Sequence, residues 1–246
     1  MIESKDNEKL KLVRKLRERK HREREGLFAT EGEDLLAAGL AAGAVPRFVL
    51  VSAGSGLKGE EVTADLLASA SSLGSGTRAI AVWPLVWAED PAPPVVYLHA
   101  VGDPGNVGTI VRTADALLGA TVALGPDCAD PFGPKATRAS MGSIFARPPA
   151  RAEVAGTPTP RAALVAHGGD GLERLAGAAT LCLGAEREGL PDDVLAACAI
   201  SATIPLQGAA ESLNVAAAAA IACERLAALG TARISSFAMA KERPNA

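Results

Sequence analysis

Three short stretches of the chain gather residues able to do chemistry together. The first runs His99-Ala100-Val101-Gly102-Asp103-Pro104-Gly105-Asn106-Val107-Gly108 and continues into an apolar helical stretch that carries Arg112. The second is Leu181-Cys182-Leu183-Gly184-Ala185-Glu186-Arg187-Glu188-Gly189, and the third is Ile204-Pro205-Leu206-Gln207-Gly208-Ala209-Ala210-Glu211-Ser212-Leu213-Asn214. Each is an apolar strand-like run that opens onto a loop and then a helix. Gly105 and Gly108 leave the backbone without Cβ atoms where a ligand could approach closely, and Asn106 reads as a helix N-cap. Arg112 follows about a turn and a half later, facing the same mouth of the sheet. Ser212 and Asn214 precede or begin a long Ala-rich helix, where side-chain and backbone donors could meet an anion. A turn-and-cap explanation covers each stretch taken singly. It does not explain an Arg inside VRTADALL, nor three strand ends that together hold Gly, Asn, Glu, Ser and Arg. The carboxyl ends of strands are where parallel α/β sheets bind ligands.

The surrounding pattern predicts such a sheet. Strands fit residues 95–100, 121–124, 163–167, 179–183 and 200–204, and helices fit 107–118, 191–198 and 213–229. That alternation implies a parallel sheet covered on both faces. Before it, residues 5–24 read as one helix and 34–40 as another, entered through a capping box at Thr30-Glu31-Gly32-Glu33. Strands are expected at 47–52 and 77–83, with a helix at 62–70. Three prolines in Glu89-Asp90-Pro91-Ala92-Pro93-Pro94 remove backbone donors, so 89–94 is expected to link a domain at 1–88 to one at 95–246.

Composition narrows the function classes. With 48% hydrophobic and 22% charged residues over 246 positions, the chain can bury a core. The unbroken apolar run Val215 to Cys223 stops at Glu224, well short of the roughly 20 residues of a membrane span. The charged start MIESKDNEKLK has no signal-peptide core, so a soluble cytoplasmic protein without membrane partners is expected. Cys128, Cys182, Cys198 and Cys223 show no CxxC spacing, and there are only three histidines. Buried thiols are expected, and no metal site. Gly54-Ser55-Gly56-Leu57-Lys58-Gly59 is a literal GxGxxG, but no acidic residue closes the next strand at Trp83-Pro84. A dinucleotide site there is rejected in favour of a flexible loop.

Residues 1–25 hold ten cations and six acids, a local +4 in a chain of net −3. A basic head on an acidic body fits contact with a polyanion, or else a solvated helix laced with ion pairs. Lys11, Arg14, Lys15 and Arg22 are the head's candidate polyanion contacts, with Arg138 from the body.

The three motifs, in order and spacing, resemble those of the SpoU (TrmH-like) branch of the SPOUT RNA 2′-O-ribose methyltransferases. The resemblance spans about residues 95–228, and Pro134 to Phe145 looks like the family's segment between the first two motifs. Residues 1–88 are similar to the small α/β substrate-binding domain, ribosomal-protein-like in fold, that often precedes this catalytic domain. The resemblance implies an α/β fold with a C-terminal trefoil-knotted parallel-sheet domain, a homodimer, and methyl transfer from S-adenosylmethionine to a ribose 2′-hydroxyl of structured RNA, ribosomal rather than transfer RNA. A non-catalytic RNA-binding protein with a vestigial fold is the competing reading.

The resemblance also implies roles. Arg112, Asn106, Ser212, Asn214 and Glu186 would be the catalytic set, and Leu183, Gly184, Ile204, Leu206 and Leu213 would line the cofactor slot. Arg112 would activate the hydroxyl; because a guanidinium stays protonated in proteins, a clamp on phosphate or developing alkoxide is the alternative role. The chain departs from the family pattern at Ala185, Arg187, Leu206 and Ala216, where Ser, Gly, Met and Ser are common.

Overall fold

In the computed structural model, residues 1–72 and 76–241 are described, with side chains to residue 230. The N-terminal half begins with α1 (Glu8–Lys15) and α2 (Arg19–Glu25), followed by β1 (Leu27–Glu31), α3 (Glu33–Ala41), β2 (Phe48–Ser52), β3 (Glu60–Val62), α4 (Ala64–Ala70) and β4 (Ala79–Pro84). The strands form one sheet in the order β1-β4-β2-β3. β4 runs antiparallel to both β1 and β2, and β3 lies parallel to β2. Leu10, Val13 and Leu16 pack into its core beside Leu50, Leu67 and Ile80.

Three expectations change here. The single helix over 5–24 is broken at Leu16–Glu18, because the Arg22 Nη1 group takes the carbonyls of Leu16 (2.7 Å) and Arg17 (2.8 Å). Thr30 is not a helix cap but part of β1, since its hydroxyl turns inward to accept the Trp83 indole N–H at 2.8 Å. The N-cap of α3 is Gly32 at φ 103°, a conformation that a Cβ would oppose. Finally, β3 takes the start of the expected 62–70 helix. The GxGxxG segment therefore joins two strands, β2 and β3, and meets no helix N-terminus.

The C-terminal half contains β5 (Val95–Leu98), α5 (Pro104–Leu118), β6 (Thr121–Leu124), α6 (Pro134–Ser140), α7 (Ser143–Ala146), β7 (Ala150–Arg151), β8 (Arg161–Leu164), β9 (Thr180–Leu183), α8 (Asp192–Ala196), β10 (Ile200–Ala202) and α9 (Val215–Lys241). Its six strands lie in the order β10-β8-β9-β5-β6-β7, and every pair is parallel. The chain leaves β5 towards β7, then returns on the other side to build β8, β9 and β10. β5 and β9 therefore flank a reversal of strand order, where a crevice opens at the carboxyl ends. Apolar side chains of α5 and α9 cover one face and those around α8 the other, which is why Val95–Leu98 and Thr180–Leu183 are buried throughout.

Glu89 and Asp90 are exposed between the two sheets, but Trp87 already packs on Phe132 and Ala88 bridges to Ala150. Among the described residues no helix is long and apolar enough to cross a membrane.

Candidate active site

Two helix starts and one loop meet at the carboxyl edge of the large sheet. At the first, Asp103 rather than Asn106 is the N-cap of α5: its Oδ1 accepts the Asn106 backbone N–H at 2.9 Å, and Pro104 occupies the first helical position, where no N–H is needed. The expected N-cap role of Asn106 is thereby corrected. Its side chain is free to leave the helix, and Nδ2 donates to Glu186 Oε1 at 2.7 Å.

At the second, Asn214 caps α9. Its Oδ1 accepts the Ala216 backbone N–H at 2.9 Å, which forces the amide nitrogen outward. That nitrogen donates to Glu186 Oε1 at 2.9 Å and to Asn106 Oδ1 at 3.2 Å. One carboxylate oxygen thus takes both amides, and the three side chains close a triangle 28, 80 and 108 residues apart in sequence.

The loop that carries Glu186 is pinched shut. Ala185 and Gly189 exchange backbone hydrogen bonds of 3.1 and 3.0 Å, with Gly189 at φ 70°. A Cβ on Gly184 would lie 2.2 Å from the Gly189 carbonyl, so only glycine fits.

A cavity of about 420 Å³ opens beside the triangle, at the ends of β8, β9 and β10. Leu183, Gly184, Ile204, Leu206 and Leu213 all line it, as do Glu186 and Ser212. Leu164, Val165, Ala166 and His167 make a further wall that sequence reasoning missed. The only signal was a strand running into Gly168-Gly169, which any turn shares.

Other candidates fall elsewhere. Arg112 is exposed, without a hydrogen bond or ion pair among the described residues, and is not in the cavity wall. Six residues at about 100° each set it some 120° round α5 from Asn106, so the two do not face one mouth. Gly108 is not a ligand approach: its Cβ would lie 2.2 Å from the Ala136 carbonyl oxygen, so it lets α6 rest on α5. Gly105 sits under Lys135, whose Nζ donates to Asp103 Oδ2 at 2.6 Å. That bond, and then the Asn106 N–H, hold the Asp103 carboxyl below its ordinary pKa.

Among the predicted RNA contacts, Arg138 and Lys15 are exposed. Lys11 reaches Glu8 at 3.3 Å, and Arg14 donates to the Lys5 carbonyl at 3.0 Å. Arg22 is corrected outright. It is 4% exposed and paired with Asp130 at 2.5 Å, because the packing of the two domains closes over it.

The architecture is that of a two-domain α/β protein with a cavity at the carboxyl edge of a parallel sheet. A model of the SpoU rRNA methylase family matches residues 93–224, and one of the MRM3-like substrate binding domain matches residues 7–82. The chain belongs to the SpoU rRNA methylase family. It is 32% identical over 241 residues to the 23S rRNA (guanosine(2553)-2′-O)-methyltransferase RlmP of Bacillus subtilis (strain 168), covering 89% of this chain and 96% of that one. Similarity to the 23S rRNA (uridine(2479)-2′-O)-methyltransferase of Streptomyces viridochromogenes is 37% over 131 residues, 47% of this chain and 46% of that one. The AdoMet-bound rRNA methyltransferase from Sinorhizobium meliloti superimposes with a TM-score of 0.80 at 28% identity, covering 92% of this chain and 96% of that one.

Proposed function

We propose that this protein transfers the methyl group of S-adenosylmethionine to a ribose 2′-hydroxyl of ribosomal RNA. The observation that carries it is the Asn106–Glu186–Asn214 triangle beside the Leu183–Leu213 cavity, in a family member alike over nearly its whole length to a 23S rRNA 2′-O-methyltransferase. The cavity suits the cofactor. Apolar Leu183, Ile204, Leu206 and Leu213, with the bare backbone of Gly184, suit an adenine. Glu186, Glu188 and Arg187 suit a ligand bearing cationic and carboxylate groups at once. When bound, the cofactor supplies a methyl carbon open to in-line attack.

The protein's task is then to position the hydroxyl and handle its proton. The triangle fixes the Glu186 carboxylate at the cavity mouth. Ser212 and Asn214 direct the substrate from the start of α9. Arg112, exposed and without a partner among the described residues, clamps an RNA phosphate rather than acting as a base, since a guanidinium stays protonated in proteins. Arg138 and Lys15, the exposed members of the expected set, hold RNA phosphates, which position without reading sequence. The two relatives are named for different bases, guanosine and uridine, so family membership leaves the target base open.

The same reading places the domain boundary at 89–94, with residues 1–88 on the RNA and 95–246 carrying out the transfer. It also includes the C-terminal trefoil knot, a homodimer and a cytoplasmic site of action. Its test uses S-adenosylmethionine labelled in the methyl group and large ribosomal RNA from cells lacking the gene. Label should enter one ribose 2′-oxygen. Cofactor binding without transfer would leave a non-catalytic RNA-binding protein, and no cofactor binding would overturn the reading.

A further inference from the structure

We propose that Arg22 is a positioning residue for methyl transfer, acting through Asp130 and α6 on the turn that presents Asn106; this rests on the function proposed above. Arg22 lies on α2 of the N-terminal domain, yet its Nε and Nη2 groups both donate to Asp130 Oδ2, at 2.9 and 2.5 Å. Asp130 belongs to the other domain, in the loop between β6 and α6. Its second oxygen accepts the Phe132 backbone N–H at 2.9 Å. Since Nη1 is taken by the Leu16 and Arg17 carbonyls, one guanidinium ties the α1–α2 break to the catalytic domain.

Apolar contacts already join the domains around it. Phe28 packs tilted against Phe132 with centroids 5.0 Å apart, and Trp83 against Phe145 at 4.7 Å. A buried ion pair adds little adhesion to such a cluster, because desolvation offsets much of its attraction. What a forked, charge-assisted contact adds is direction. It fixes where the Asp130 loop sits, and with it the start of α6 at Pro134.

From there the path is short. Gly108 allows α6 to lie against α5, and Lys135 on α6 holds Asp103, the residue that caps α5 and bonds the Asn106 N–H. Asn106 in turn donates to Glu186. Movement of the RNA-binding domain therefore reaches the triangle through two ion pairs and one tight helix crossing. Glu186, where the path ends, is also part of the cavity wall, but the apolar walls at Leu164, Ile204, Leu206 and Leu213 lie off the path.

The test is Asp130→Asn in the full-length protein. It keeps an acceptor for Phe132, removes the charge facing Arg22 and changes nothing in the N-terminal domain. We expect cofactor affinity by calorimetry within about twofold, and kcat on ribosomal RNA lower by about tenfold with KM changed less. Amide exchange at Asn106 should quicken by a similar factor. Arg22→Lys cannot reach Asp130 and both carbonyls together, and should fall between wild type and Asp130→Asn. Unchanged kcat and exchange would overturn the proposal, as would loss of cofactor binding in step with activity in both variants, which marks plain structural support. If the wild type methylates no RNA, the proposed function fails and the exchange measurement alone decides whether Arg22 holds the turn.

Discussion

Eight of the ten cations in residues 1–25 are tied down: Lys9 to Glu60, Lys11 to Glu8, Arg14 to the Lys5 carbonyl, Arg19 to Glu23, Lys20 to Glu18, Arg22 to Asp130, Arg24 to Glu25, and Arg17 to the carbonyls of Ser69, Ala70 and Ser71. In the C-terminal domain Arg112 and Arg138 are instead exposed and unpaired among the described residues. The head has charge in quantity, but most of its cations already have a carbonyl or carboxylate partner, either within the head or on the elements packed beside it. A lone Arg on an apolar helix keeps all five donors. Local charge density therefore says less about a polyanion contact than the number of donors left over after folding.

The largest effect that would sharpen this contrast is at Arg112. Arg112→Ala should lower kcat/KM for ribosomal RNA by about 10³-fold, with cofactor affinity within a few-fold and stability changed by no more than about 0.5 kcal/mol. Steady-state kinetics, calorimetry and thermal melts check the three parts. A large drop in melting temperature would mean that the residue is structural after all.

Asn214→Asp comes next. Aspartate is as good an N-cap as asparagine, so α9 keeps its start, but the amide that faces Glu186 becomes a second carboxylate. Turnover should fall by about 10²-fold at near-constant stability. If turnover survives, the triangle does not position the reacting groups.

The Lys135–Asp103 contact predicts a smaller, pH-dependent effect. Because Lys135 and the Asn106 N–H depress the Asp103 pKa, its contribution to folding is present above the ordinary carboxylate pKa and is lost as the pH falls through the lowered value. Lys135→Gln should move that loss to higher pH, visible as an earlier acid limb in melts against pH. An acid limb that does not move would show that Asp103 is held by the helix cap alone.

The smallest effect is expected from the head. Deleting residues 1–25 is no test of RNA contact, because it would strip Leu10, Val13 and Leu16 from the core, all at most 2% exposed. Lys15→Gln should instead reduce the salt dependence of RNA binding by about one phosphate contact or less. A drop of several contacts would restore the basic head as the main RNA surface and break the comparison drawn above.

Sequence by itself determined the alternation of strand and helix from Val95 onward, because strands buried on both faces must be continuously apolar and the loops between them cannot be. It also marked the three loops that meet at the carboxyl edge of the large sheet, since Gly184, Asn106 and Asn214 are residue types that a pinched loop and helix starts favour. Tertiary structure decided the rest. The cap expected at Asn106 falls instead to Asp103, three positions earlier, because Pro104 needs no donor at the first helical position; only then could Asn106 face Glu186. Thr30 gave up its cap because a buried indole N–H across the sheet needed an acceptor. Arg22 read as a phosphate contact because nothing nearby in sequence shows that Asp130, 108 positions away, will meet it in the domain interface. Hydrogen-bond demand is local in kind but global in supply, so a sequence shows which groups need partners and only the folded chain assigns them.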